Sequence, residues 1–369
     1  MATGHGEPMS TKGVPREGWA VFDGPFASTT EPFSLLNRHG ATLRGTVSRT
    51  RRGDYPGGDG APQVVVVVAG LGRTRQWTVL SGLQLLLNGF TVIRFDLTNS
   101  VGLSDGDILD FTLTRACEDL CDVALWARSR FASERVSALA ASVTGRAALR
   151  AAALHPDLFR LVGTLCGVVD TRATLTALLR GTDLVAQFRD GTLHDTDGVR
   201  TLFGHEIRLD GVGSLVLDDW AGISGTIHDL RSADSTRFLG FHGERDAWIC
   251  ATDVRTVFQS VPHARSCVLD EAGHELNHAQ TRQVLGELIR VHWAISGRTT
   301  RDAATGKPRV APWEPTVEQL SAQRRMEKKL DRWWRAQLPA PVGAPVTEPR
   351  RRRAETSERT RGSWSATAP

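Results

Sequence analysis

The stretch Val64-Val65-Val66-Val67-Val68-Ala69-Gly70-Leu71-Gly72 decides the fold. Successive side chains of a strand point to opposite faces of a sheet, so five valines in a row leave no face for water. Such strands belong to parallel sheets covered by helices on both sides. Outward from this run the hydrophobic period alternates. Gln76–Asn88 reads as a helix with Trp77, Leu80, Leu83 and Leu87 on one face, stopped by Gly89. Thr91–Phe95, Arg135–Ala140 and Leu161–Val169 read as strands, separated by helices over Thr114–Arg130 and Val143–Leu154. Residues 171–235 break the rhythm. It resumes with strands Arg237–His242 and Ser266–Leu269 and helices Thr252–Ser260 and Gln280–Trp293. Upstream, Phe33–Leu36 and Ala41–Ser48 flank the turn signal Asn37-Arg38-His39-Gly40, which predicts a hairpin. The expected architecture is α/β: a mainly parallel sheet with helices on both faces, and 171–235 as an excursion over its C-terminal edge.

Composition narrows the function classes. The 369 residues are 40% hydrophobic and 23% charged, enough for a sizeable core and against wholesale disorder. The pI of about 9.0 hints at an acidic partner, but the charge is unevenly placed. After residue 320 there are twelve Arg or Lys against five Asp or Glu; this surplus of +7 exceeds the chain's +4, so the first 320 residues carry −3. The basic character belongs to a tail, and no nucleic-acid partner is expected. No run approaches the ~20 apolar residues of a membrane span, and Met1–Gly13 has no apolar leader stretch, so the expected setting is the cytoplasm. Five cysteines scattered over the chain do not read as a disulfide framework. Cys117 and Cys121, one helical turn apart, read as core residues and no metal site is expected. The expected organisation is a flexible lead-in over 1–33, a catalytic domain over 34–300 with a lid at about 171–235, a helical extension over 301–336 and a disordered basic tail over 337–369. In the extension, Val317, Leu320, Leu330 and Trp334 recur at near-helical spacing, and Asp331 stands four residues before Arg335, the spacing of a surface ion pair. Arg350–Arg353 reads as a solvated run; docking of an acidic carrier protein is the sharper alternative.

The chemistry centres on Val136-Ser137-Ala138-Leu139-Ala140-Ala141-Ser142-Val143-Thr144-Gly145, a strand, a sharp turn and a helix with Ser142 at the turn. This is the context of a nucleophile elbow, although the motif here is A-x-S-x-T in place of G-x-S-x-G. A serine ending a strand is more often a helix cap; the downstream residues shift the balance. Phe238–Asp246 is a strand entering a loop with Asp246, and Cys267–His274 is a strand entering a glycine-containing loop with His274. Chain order Ser, Asp, His is that of α/β-hydrolases. A hydroxyl needs an imidazole base, and the imidazole needs a carboxylate to fix its tautomer. Glu244 is the competing acid, His278 lies four residues beyond His274 but reads as surface, and His242 reads as a core histidine. The oxyanion donors would be the N–H groups of Val143 and, in the Ala69–Gly72 loop, Leu71. That loop lacks the Gly-Lys-Ser/Thr ending of a phosphate loop.

From about residue 34 to 330 the chain resembles the acyl-transferase component of the bacterial luminescence fatty-acid reductase system. The resemblance rests on Phe95-Asp96, Val101-Gly102-Leu103-Ser104, Asp110-Phe111-Thr112, Ala140-Ala141-Ser142, Gly167-Val168-Val169, Gly204-His205, Asp246 with Trp248, and Val317-Glu318-Gln319-Leu320. It implies an α/β-hydrolase fold, Ser142 as nucleophile, Asp246 as acid and His274 as base. It further implies an acyl thioester substrate on acyl carrier protein or coenzyme A, with no cofactor and no stable membrane insertion. Two other readings are an acyltransferase that passes the chain to an alcohol or amine, and a catalytically silent binding scaffold.

Overall fold

The computed structural model describes residues 19–22, 27–50, 62–193, 198–202, 204–208, 210–296 and 311–338. Its centre is a nine-stranded sheet. The antiparallel end is formed by β1 (Trp19–Phe22), β2 (Ser28–Leu36) and β3 (Thr42–Thr50), with β3 antiparallel to β5 (Phe90–Asp96). From β5 onward every pairing is parallel: β4 (Gln63–Val68), β6 (Val136–Ala141), β7 (Phe159–Leu165), β10 (Arg237–Gly243) and β11 (Ala264–Leu269), with the order β1-β2-β3-β5-β4-β6-β7-β10-β11.

The valine run is β4, at the heart of the sheet. Val64, Val66 and Val68 pack into one core with α2 (Leu113–Arg130), α3 (Val143–Leu154) and α8 (Ala251–Gln259). Val65 and Val67 pack into a second core with α1 (Val79–Leu87) and α9 (His278–Ser296). All five are at most 2% exposed, which at about 1.5–3 kcal/mol per buried valine makes β4 a main hydrophobic anchor of the fold. Between β7 and β10 the chain runs through α4 (Thr171–Leu178), α5 (Leu184–Arg189), the hairpin of β8 (Val199–Leu202) and β9 (His205–Arg208), α6 (Asp210–Leu217) and α7 (Ile223–Ser232). After α9, α10 (Val317–Gln337) packs against α1, with Leu320 joining Val79, Leu80, Leu83 and Leu87.

Five sequence expectations are corrected. Trp77 lies in a 3-10 turn, Arg75–Thr78, ahead of α1; the tighter turn takes it off the helical face, and it is 60% exposed beneath the Arg73 guanidinium. Val317 is 69% exposed, whereas Leu320, Leu330 and Trp334 are buried. Asp331 turns inward to Arg75 and Gln76 in place of an outward pair with Arg335. The strand expected over Leu161–Val169 runs from Phe159 to Leu165, and Cys166 follows with a positive φ of 44°. The sheet also begins before residue 34, with Trp19 of β1 edge-on to Trp333 of α10. Residues 339–369, with the arginine run, lie outside the described residues.

Candidate active site

Ser142 sits between β6 and α3 with φ 55° and ψ −129°. This conformation costs a non-glycine residue about 1–3 kcal/mol and persists only where the surroundings impose it. Here they do. The Ser142 N–H donates to the Leu165 carbonyl (2.9 Å), and its carbonyl accepts from Gly145 and Val168 N–H (2.9 and 3.0 Å). The Thr144 hydroxyl donates to the Ala141 carbonyl at 2.7 Å, closing the turn. Small residues are required on both sides: a Cβ on Gly145 would lie 2.9 Å from Gly167 Cα, and one on Gly70 would lie 3.1 Å from Ser142 Cβ. The A-x-S-x-T sequence therefore builds the same sharp corner as the glycine motif, with Thr144 as its clasp.

The loops after β10 and β11 converge on this serine. His274 Nε2 is 2.9 Å from Ser142 Oγ, and His274 Nδ1 is 2.7 Å from Asp246 Oδ2. A carboxylate only accepts, so Nδ1 carries the proton and bare Nε2 accepts from the serine hydroxyl. The other carboxylate oxygen, Oδ1, accepts from the backbone N–H groups of Trp248 (3.0 Å) and Ile249 (3.2 Å). Burial pushes the Asp246 carboxyl up, but the hydrogen bonds it accepts from His274 and the Trp248 N–H help hold it below the usual carboxylate range. The Trp248 ring leans on the imidazole, centroid to centroid 4.6 Å. Glu244 is exposed and turns to the Glu271 N–H at 3.5 Å, and His278 is exposed at the start of α9.

Two cavities meet at the Gly70–Arg73 turn, in which Arg73 N–H donates to the Gly70 carbonyl. One, about 220 Å³, lies over Ser142 and His274 and is rimmed by Arg73, Trp77 and Glu275. The other, about 90 Å³, is walled by Leu71, Phe111, Val143, Leu175, Ile207 and Leu215 under the 171–235 excursion. Leu71 lines both. Gly72 has φ +69°, and a Cβ there would lie 2.5 Å from His205 Cδ2, so the β8–β9 hairpin rests its imidazole directly on this turn. Nothing in the sequence around Gly204-His205 shows that two short, partly exposed strands bring it to Gly72.

His242 lies beneath the site, fully buried. Its Nε2–H donates to the Ile249 carbonyl at 3.0 Å, and its Nδ1 stands 4.0 Å from Asp246 Oδ2 without a hydrogen bond. Cys166, His242 and Asp246 could bring three ligand atoms within 4.8 Å of one another. This set does not suit a resident metal: burial pushes the Cys166 thiol up to about 12, and a metal would take Asp246 from His274. Burial also pushes the His242 imidazole below its ordinary 6.5, against the opposing pull of Asp246. The folded protein thus resists a proton that the unfolded chain accepts, so stability present above pH 6.5 is lost as the pH falls. We expect the melting midpoint to drop between pH 7.5 and 5.5, with a slope of at most ~1.4 kcal/mol per pH unit from this group. His242→Gln is expected to flatten that slope in calorimetry; an unchanged slope would assign it to other groups.

A parallel sheet with helices on both faces, a serine on a strained strand-to-helix corner, and a histidine and buried aspartate from later strand ends define the chain as an α/β-hydrolase-fold protein. It shares this fold with Est1E from Butyrivibrio proteoclasticus, solved with ferulic acid bound (TM-score 0.57, 15% identity, 72% of this chain and 100% of that one). It also shares it with DcsB, solved with its substrate analogue (TM-score 0.51, 17% identity, 72% and 98%). The chain belongs to the acyl transferase family, whose model matches residues 59–285. An acyl transferase of Photobacterium leiognathi is 29% identical over 191 residues, covering 52% of this chain but only 60% of that relative's length. One of Shewanella hanedai is 26% identical over 275 residues, covering 72% and 85%. Among the described residues no helix is long and apolar enough to cross a membrane.

Proposed function

We propose that this protein is a cytoplasmic serine acyltransferase or thioesterase of fatty-acid metabolism, taking its acyl group from a thioester on acyl carrier protein or coenzyme A. The observation that carries this reading is the hydrogen-bonded chain Ser142–His274–Asp246 beside an apolar cavity. Ser142 Oγ attacks the thioester carbonyl as its proton passes to His274 Nε2. The tetrahedral oxyanion is held by the N–H groups of Leu71 and Val143; Val143 opens α3, so its N–H has no intrahelical partner. Collapse breaks the C–S bond, the leaving thiolate takes the proton from His274, and the acyl group remains as an ester on Ser142. Water, or an alcohol or amine acceptor, then gives a proton to His274 and attacks this ester, and on collapse His274 passes that proton to Ser142 Oγ.

The acyl chain occupies the cavity beneath the 171–235 segment, which acts as a lid, and the thiol leaves through the cavity rimmed by Trp77. Substituting Leu175→Trp, on the lid side of the apolar cavity, is expected to shift the preferred chain shorter. A panel of acyl-CoA and acyl-carrier-protein thioesters tests both points. Hydrolysis of short and long thioesters falling equally in the variant would place the chain elsewhere. Turnover of oxygen esters but of no thioester would overturn the donor assignment. Added alcohol or amine that diverts product from free acid to ester or amide would select transfer over hydrolysis.

A further inference from the structure

The helix α10 lies beyond the family match at residues 59–285, yet its inner face carries charge into the catalytic domain. Leu320, Leu330 and Trp334 are buried on it, but so are Gln323 and Glu327. Glu327 accepts from the Arg94 guanidinium, and Asp331 accepts from both Arg75 and Gln76. The side chains of Arg75, Arg94 and Glu327 are only 1–2% exposed. Burying ions costs several kcal/mol each before their attraction returns it, and well-packed apolar residues would dock a helix as well. The apolar contact of Leu320 with α1 is already present. The charges therefore call for a reason other than docking.

That reason lies in what they hold. Arg75 is four residues beyond Leu71, immediately after the Gly70–Arg73 turn. Its N–H donates to Asp96 Oδ1 (2.7 Å) and its guanidinium to Asp96 Oδ2 (2.9 Å), while its carbonyl accepts from Arg94 Nη1 (3.3 Å). Asp96, buried at the end of β5, is itself fixed by the Leu103 N–H at 3.0 Å. Both backbone groups of Arg75 and its side chain are thus tied to a cluster whose outer wall is Glu327 and Asp331. We infer that α10 is a positioning element of the active site: Asp331 and Glu327, through Arg75 and Arg94, fix the turn that offers the Leu71 N–H to the oxyanion. The inference rests on the proposed role of Leu71 and adds to it the residues that aim that donor.

The test compares Asp331→Asn, Asp331→Glu and Glu327→Gln with the wild type, each well below its melting midpoint. Three quantities are read: kcat and KM for a thioester, affinity for an alkyl boronic acid that adds to Ser142 Oγ as a tetrahedral anion, and affinity for a thioether analogue of the substrate. A mis-aimed oxyanion donor is expected to lower kcat about 10–100-fold, below the ~10²–10³-fold of losing a donor outright. KM and thioether affinity should stay within about twofold, boronate affinity should fall in step with kcat, and Asp331→Glu should recover part of the loss. Gln76→Met removes one bond to Asp331 without orphaning a charge, and should lower kcat a few-fold even if the charge variants do not fold. Variants that melt earlier but keep wild-type kcat and boronate affinity would overturn the inference while leaving the Ser142 reading intact. A boronate that binds Ser142→Ala as tightly as the wild type would instead remove that reading and the inference with it.

Discussion

Replacing Ser142 with Ala is expected to remove acyl-enzyme formation altogether and to lower turnover by more than about 10⁴-fold, because the Ser142 hydroxyl is the group bonded to His274 Nε2. The fold should survive. The serine hydroxyl is bonded to His274 and caps no helix N–H, whereas the backbone bonds that impose its φ of 55° remain available to alanine. A far-ultraviolet spectrum and melting midpoint close to wild type, with no released thiol above background, are the expected pair of results. His274→Ala should be comparably severe, about 10³-fold or more, since the hydroxyl then has no base. Wild-type turnover in Ser142→Ala would set the proposed mechanism aside.

Asp246→Asn is expected to cost about 10⁴-fold in kcat with little change in KM or fold, and the reason is tautomeric. In the variant the amide oxygen stays where Oδ1 accepts from Trp248 and Ile249. The amide nitrogen then faces His274 Nδ1 and donates to it. The imidazole must carry its proton on Nε2, the atom that should receive the serine proton at 2.9 Å. Glu244→Gln should change kcat less than about twofold, because that exposed carboxylate faces the Glu271 N–H. Steady-state kinetics on one thioester ranks the two; the reverse order would move the acid to Glu244.

The two largest expected effects fall on residues legible from sequence, for a common reason. Buried parallel strands are written as unbroken apolar runs, and catalytic side chains of such sheets sit at their C-terminal ends, so β4, β6, β10 and β11 carried both fold and site. That Asp246 and not Glu244 meets His274 is less visible in the sequence, because it depends on where the β10 loop turns and on two backbone N–H groups that no pattern encodes. Trp77 was misplaced because a helical period cannot distinguish a 3-10 turn from the α-helix it precedes. The β8–β9 hairpin is hidden because its four-residue strands are partly exposed and their sequences, Val-Arg-Thr-Leu and His-Glu-Ile-Arg, carry no apolar-polar alternation. Sequence spacing pairs Asp331 with Arg335, since it reveals neighbours on one helix and not the buried Arg75 facing it from 256 positions away.

The central claim is that a thioester acyl group passes through an ester on Ser142. Rapid mixing with excess acyl thioester, acid quench and intact-mass spectrometry, followed by peptide mapping, tests it most directly. The predicted result is a burst of thiol equal to the enzyme concentration, a mass increase of one acyl group on the peptide bearing Ser142, and loss of both in Ser142→Ala. Steady release of thiol with no burst and no adduct, or an adduct on any other residue, would contradict it.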